Sequence, residues 1–293
     1  MDNGVEDGST PIRSSRKFRK NFPPKIIECS WVSICGATHS RNQDAVFANF
    51  PFFAVADGVG GGSSGELASS KILEFCEAIP KTVWKNTKEL QARLIESDSV
   101  ISSELAKVTI GPSATTFAGL WLRGFNSALI AHVGDVRVLS LFETNSTYEI
   151  RQLTQDQTYG NLEESPPLGG SLADPARMIG VGAIGEPSVE TIKIAEKELI
   201  LICSDGLHKF LSPDEIVRIC CPILKAGNAL TIVAQALVHE AIKNGSYDDI
   251  SILILRKNPR FGVRQSLWLS LAISLILLAV DLWIGWFSLA IEI

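Results

Sequence analysis

Two aspartates frame the stretch of this chain best suited to chemistry. In residues 41–62, RNQDAVFANFPFFAVADGVGGG, Asp44 precedes one short apolar run and Asp57 ends another, with glycines directly behind it. Residues 52–56 are too few for a helix and lie between Pro51 and Gly58, so they read as a buried strand. A carboxylate at the end of such a strand sits on a stiff backbone at the sheet rim. Gly58, Gly60, Gly61 and Gly62 allow a tight turn that brings carbonyls close to a ligand. Fixed carboxylate and carbonyl oxygens are what a hard divalent cation requires. Taken alone, the stretch is equally well read as a hairpin with an aspartate turn.

The arrangement recurs. Asp135 lies in the turn of HVGDVR, Asp205-Gly206 follows the apolar run 198–203, and Asp248-Asp249 precedes a last apolar run, 250–255. A single acid of this kind is usually a turn residue, whereas five on one mostly antiparallel scaffold point to a metal site.

The elements that must hold these acids follow from pattern and turn residues. Strand signals fall at 26–37, 114–122, 128–133, 136–142, 148–153, 189–194 and 198–203. Those from 114 to 153 come in quick succession and suggest an antiparallel meander. Helical stripes fall at 63 to about 80, with Ser63 as N-cap and Glu66 three residues on, and at 90–107, 212–220 (Ser212 and Glu215) and 231–243. Residues 154–187 are rich in Gly and Pro and too long for a plain connector, and 157–185 within them read as a mobile flap beside the site that selects the substrate.

A chain of 293 residues forms one large domain or two small ones. Its net charge of -5 leaves no basic face for neutralising many phosphates, which argues against nucleic acid. The six cysteines show no C-x-x-C spacing, so reduced thiols in a cytosolic compartment are expected. No apolar leader opens the chain.

Residues 1–24 are polar with a basic cluster, Arg13, Arg16, Lys17, Arg19 and Lys20, and read as a disordered tail or, more sharply, a contact with an anionic membrane surface. Residues 258–266 form a basic linker. Residues 267–291 are long enough to cross a bilayer at ~1.5 Å per residue, with Trp268, Trp283 and Trp286 near the interfaces and Asp281 as the one charge inside. Lys257, Arg260 and Arg264 precede this stretch and only Glu292 follows, which orients a single span with the preceding domain in the cytoplasm. An amphipathic or partner-buried helix is the alternative.

The ordered set RNQDA, VADGVGG with SGELAS, SATTFAGLWL, HVGDVRVL, LTQDQ, GAIG, ICSDGL with LSPDEI, and YDDISILIL resembles the type 2C (PPM) family of metal-dependent Ser/Thr protein phosphatases over roughly residues 30–256. The resemblance implies an α+β fold, an α-β-β-α sandwich of two antiparallel sheets flanked by helices, with the phosphatase domain at 25–257, ahead of the span read separately as a transmembrane helix at 267–291. It implies hydrolysis of phosphoserine and phosphothreonine by a water activated at two Mn²⁺ or Mg²⁺ ions. Asp57 and the Gly58 carbonyl take the family's bridging positions. Asp205 and Asp248 match further metal aspartates, with Asp249 where the family has Asn. Asp44 matches the acid that holds the metal site's waters, and Asp135 the acid tied to a third, weaker ion in bacterial members. The partners implied are phosphorylated proteins, substrates of a cognate Ser/Thr kinase.

Four further positions depart from the pattern. Gln43 stands for the usual Glu, Val59 for a histidine proposed as general acid, Gln157 for a histidine, and His39 for the phosphate-binding arginine. Arg41, two residues on, is the candidate for that arginine's part. The histidines otherwise read as core or surface residues, none at metal-ligand spacing. These departures motivate the alternative of an inactive phosphatase fold acting as a binding module. The retained Asp57, Asp205 and Asp248 favour the enzyme.

Overall fold

The computed structural model describes residues 27–257 apart from 60–62, 110, 125 and 146, with the Ser63 side chain also outside the description. The tail 1–24, the linker 258–266, the span 267–291, the glycine turn at 60–62 and the Ser63 cap therefore lie outside the described residues.

Ten strands build two antiparallel sheets. One has the order β1 (Ile27–Ile34), β10 (Ile250–Lys257), β9 (Leu199–Cys203), β6 (Arg137–Thr144), β7 (Thr147–Gln152). The other has the order β2 (Ala45–Asn49), β3 (Phe52–Val59), β4 (Ala114–Leu122), β5 (Ser127–Val133), β8 (Ser188–Lys193). The central strands are continuous apolar runs because both of their faces are covered. In β3, Phe53 and Val55 point into the core between the sheets, with Leu120 of β4 and Ile202 and Leu253 of the facing sheet. Phe52, Ala54 and Ala56 point the other way, towards α1 (Ser63–Ala78) and α2 (Thr87–Leu105). The facing sheet is covered by α4 (Pro213–Lys225) and α5 (Leu230–Lys243). The result is four layers, helix–sheet–sheet–helix, as the resemblance implies.

Local signals set most boundaries. The Ser212 hydroxyl accepts from the Glu215 N–H while Glu215 returns to the Ser212 N–H, and Pro213 opens α4. Asn86, unremarked in the sequence, caps α2 by accepting from Lys88 and Glu89 N–H.

The meander expectation is corrected. β4–β5 and β6–β7 are hairpins, but β5 and β6 do not pair: β5 lies beside β8 and β6 beside β9, in different sheets. The turn at Gly134-Asp135 thus carries the chain across the sandwich, with Gly134 at φ +94° and its α-carbon against the Thr116 side chain, where no Cβ fits.

Candidate metal centre

The acids singled out in the sequence come from five separate junctions at one end of the sandwich. β3 runs three residues beyond the expected strand end, so Asp57 and Gly58 are part of a ladder, opposite Thr116 and Thr115. The Thr115 hydroxyl donates to the Asp57 carbonyl at 2.8 Å, further fixing the backbone. At Gly58 a Cβ would lie 2.5 Å from the Gly65 carbonyl and 2.7 Å from the Gln43 carbonyl oxygen. Any side chain there would push the start of α1 and the loop before β2 off the strand.

Asp205 opens the one-turn helix α3 (Asp205–His208) directly after β9. The preceding Ser204 links three junctions: its hydroxyl donates to Asp44 Oδ2 at 2.7 Å and accepts the Ser251 N–H of β10 at 2.9 Å. Asp44 is buried, and its other oxygen, Oδ1, has no hydrogen-bond partner. Asp135 is buried in the turn that crosses the sandwich, and its carbonyl accepts from His208 Nε2 at 3.0 Å, tying this turn to α3. Burial, and to a lesser degree Asp205, push the Asp135 carboxyl up to about 7, against the pull of Lys209.

Asp248 and Asp249 are adjacent in sequence but differ in their surroundings. Asp249 is buried and saturated: Oδ1 accepts the Gly36 N–H at 2.7 Å, and Oδ2 accepts the Gln43 N–H at 2.7 Å and His39 Nδ1 at 3.0 Å. It therefore pins the loop between β1 and β2. Asp248 is half-buried and faces the cluster. Its carboxyl is raised, first by burial and then by Asp205.

Electrostatics bind these acids into one group. The Asp57 carboxyl stands well above the usual carboxylate range, chiefly through burial, then through Asp44, Asp205, Asp135 and Asp248 in turn. Asp44 is likewise raised by burial first and Asp249 second. Several carboxylates sharing a partly dry volume, one with an orphaned oxygen, store repulsion that a divalent cation relieves. The donors are all oxygen, which suits Mg²⁺ or Mn²⁺ and not a thiophilic metal. The residues fit the ions.

Other expectations fare differently. Arg41 has an exposed side chain and pairs with Glu66 at 3.8 Å; among the described residues no ion pair joins it to the acids. His39, set aside in the sequence, is brought beside two acids 209 and 210 residues away, with Nδ1 3.0 Å from Asp249 and 3.6 Å from Asp248. Two of these three groups are not free to hold an ion, since the Asp249 oxygens and His39 Nδ1 already bond one another and the loop. Lys209 was missed altogether: Nζ donates to Asp205 Oδ2 at 2.6 Å. Its i,i+4 spacing from Asp205 in a helical turn was the available signal.

Residues 154–187 contain only isolated bridges, Thr115 to Ile179 and Thr158 to Pro175. Their base is fastened. Gln157 Oε1 accepts the Gly134 N–H beside Asp135 at 2.9 Å, Asp98 accepts from Gly180 and Gly182 N–H, and Arg177 pairs with Glu164. Leu168 and Leu172 are exposed on the outer part of the segment.

Comparison with known proteins is consistent with this geometry. The family model described as Protein phosphatase 2C matches residues 177–250, which include Asp205, Asp248 and Asp249. The Serine/threonine phosphatase stp of Listeria welshimeri is 26% identical over 249 residues, covering 75% of this chain and 91% of that protein. The crystal structure of the serine/threonine phosphatase PstP/Ppp of Mycobacterium tuberculosis superposes with a TM-score of 0.66 at 22% identity, over 79% of this chain and 98% of that one. A structure of the PstP catalytic domain in complex with two manganese ions gives a TM-score of 0.63 at 22% identity over the same shares. With the matched motif region, relatives aligned along three quarters of the chain and a shared four-layer fold, this chain is similar to the protein phosphatase 2C family.

Proposed function

We propose that this chain is an active, membrane-anchored, Mn²⁺- or Mg²⁺-dependent phosphatase of phosphoserine and phosphothreonine in proteins. One observation carries the reading: Asp44, Asp57, Asp135, Asp205 and Asp248 converge with mutual repulsion on one end of the sandwich, a cost that a binding module has no reason to retain. Asp57, the Gly58 carbonyl, Asp205 and Asp248 would hold two ions, and Asp135 a further one. When bound, the ions supply neutralisation of the phosphate dianion and a water of lowered pKa.

The chain's own groups supply placement. Ser204 holds Asp44 at Oδ2 and leaves Oδ1 without a hydrogen-bond partner, available as an acceptor for a proton. Asp249 fixes the loop that carries His39, Gln43 and Asp44, so the rim of the cleft does not rearrange when substrate arrives. Gln157 couples the base of the flap to the Asp135 turn, which sets the flap at the cleft's edge for contacts with the protein substrate. Val59 offers no proton, so leaving-group protonation falls to another group or to water.

The anchor rests on the sequence of 267–291, and the position of the last strand supports it. β10 begins beside Asp249 and ends at Lys257, roughly 24 Å further along the strand at ~3.4 Å per residue. The described part of the chain therefore ends on the side of the sheet opposite the acids.

The activity is tested with the full chain in detergent on a phosphothreonine peptide. Turnover is expected with Mn²⁺ and loss to background with excess chelator; hydrolysis that survives the chelator would sink the metal reading. The anchor is tested separately by fractionation. The full chain should pellet with membranes through alkaline carbonate, and a chain ending at Arg256 should be soluble and still hydrolyse a small aryl phosphate. Release of the full chain by carbonate would reduce 267–291 to a peripheral helix.

A further inference from the structure

The acid cluster has a cation of its own. Lys209 follows α3 directly, four residues after Asp205, so the two side chains share one face of the turn. Its Nζ lies 2.6 Å from Asp205 Oδ2. Among the described residues no other lysine or arginine pairs with Asp44, Asp57, Asp135, Asp205 or Asp248. Burial disfavours the ammonium, yet Asp205, Asp135 and Asp57 together outweigh that effect and hold it firmly charged. Lys209 thus faces the same carboxylates that a divalent ion would face.

We propose that Lys209 is a resident counter-cation that competes with the divalent metal for the Asp205 carboxylate. It shields the cluster in the metal-free protein, and it raises the free metal concentration at which the site fills. The inference rests on the metal reading given above. A positive charge within contact distance of a ligand oxygen either leaves when the metal enters or stays and repels it. Both routes weaken metal binding, and the same charge stabilises the empty site. Lys209 therefore acts in opposite directions on the empty and the filled protein, which no ordinary packing role would do.

The test uses the full chain in detergent, stripped of metal, as wild type, Lys209→Met and Lys209→Arg. Thermal unfolding is followed in chelator and along a MnCl₂ titration, and Mn²⁺ binding is measured directly by calorimetry. In chelator Lys209→Met should melt below wild type. Its Mn²⁺ affinity should be about tenfold tighter, the effect of removing one nearby positive charge in a partly solvated site, so the Tm gap closes or reverses as Mn²⁺ rises. Lys209→Arg keeps the charge and should follow wild type. If Lys209→Met is too unstable to assay, Lys209→Gln carries the same expectations. Unchanged or weaker Mn²⁺ affinity, or a melting deficit that persists equally in saturating Mn²⁺, would overturn the competition while leaving the metal site standing. A wild-type chain that binds no Mn²⁺ at all would remove the metal site and this inference with it.

Discussion

Asp57→Asn is expected to lower Mn²⁺-dependent hydrolysis of a phosphothreonine peptide by about a thousandfold, the equivalent of roughly 4 kcal/mol of transition-state stabilisation lost with the ion site. The same change should leave the metal-free fold intact or make it more stable. Asp57 is crowded by four other carboxylates, and a neutral amide relieves that repulsion without touching the ladder to Thr116. Each kcal/mol gained would raise Tm by roughly 2–4 °C for a domain of this size. Loss of activity with a Tm in chelator at or above wild type is the expected signature; near wild-type turnover at limiting Mn²⁺ would remove Asp57 from the site.

Burial first, and the neighbouring acids second, set a pH dependence of the metal-free protein. Asp135 titrates near 3.8 when unfolded and at about 7 when folded. Between these values the folded state binds more protons than the unfolded state. Stability in chelator should therefore fall as pH rises from about 4 to about 7, and saturating Mn²⁺ should abolish that fall.

The second large effect concerns stability. Asp249→Ala is expected to destabilise the domain by roughly 3 kcal/mol, because it orphans the Gly36 and Gln43 N–H groups and the His39 ring together. A fall in Tm of several degrees, present with and without metal, is the outcome that checks it by calorimetry. Asp248→Ala should do the reverse, weakening Mn²⁺ binding while leaving the metal-free Tm nearly unchanged, since this half-buried side chain accepts one hydrogen bond, from the neighbouring Asp249 N–H, and its contact with His39 Nδ1 is a longer 3.6 Å. If the two variants behaved alike, the division of this pair into one metal acid and one structural acid would be wrong.

By itself the sequence determined most strands and the four long helices of the described region, though not the one-turn helix after Asp205, and with them the positions of Asp44, Asp57, Asp135, Asp205 and Asp248 beside apolar runs. These features are local. A run such as 114–122 with turn residues on both sides, or Ser212 with Glu215, is decided by neighbours a few residues away. The fold class was also legible, but through the order of motifs and not through periodicity, which left β5 and β6 as neighbours in one meander. The tertiary structure alone decided that these strands lie in opposite sheets, because pairing depends on which edges are free once β8 and β9 have docked. It alone decided that Asp249 turns inward to hold Gly36, His39 and Gln43, 206 to 213 residues away in the chain. It also paired Arg41 with Glu66 and set Lys209 against Asp205. A hydrogen bond or an ion pair is fixed within about 3 Å, and a separation of two hundred residues along the chain carries no information at that scale until the sheets have closed on each other.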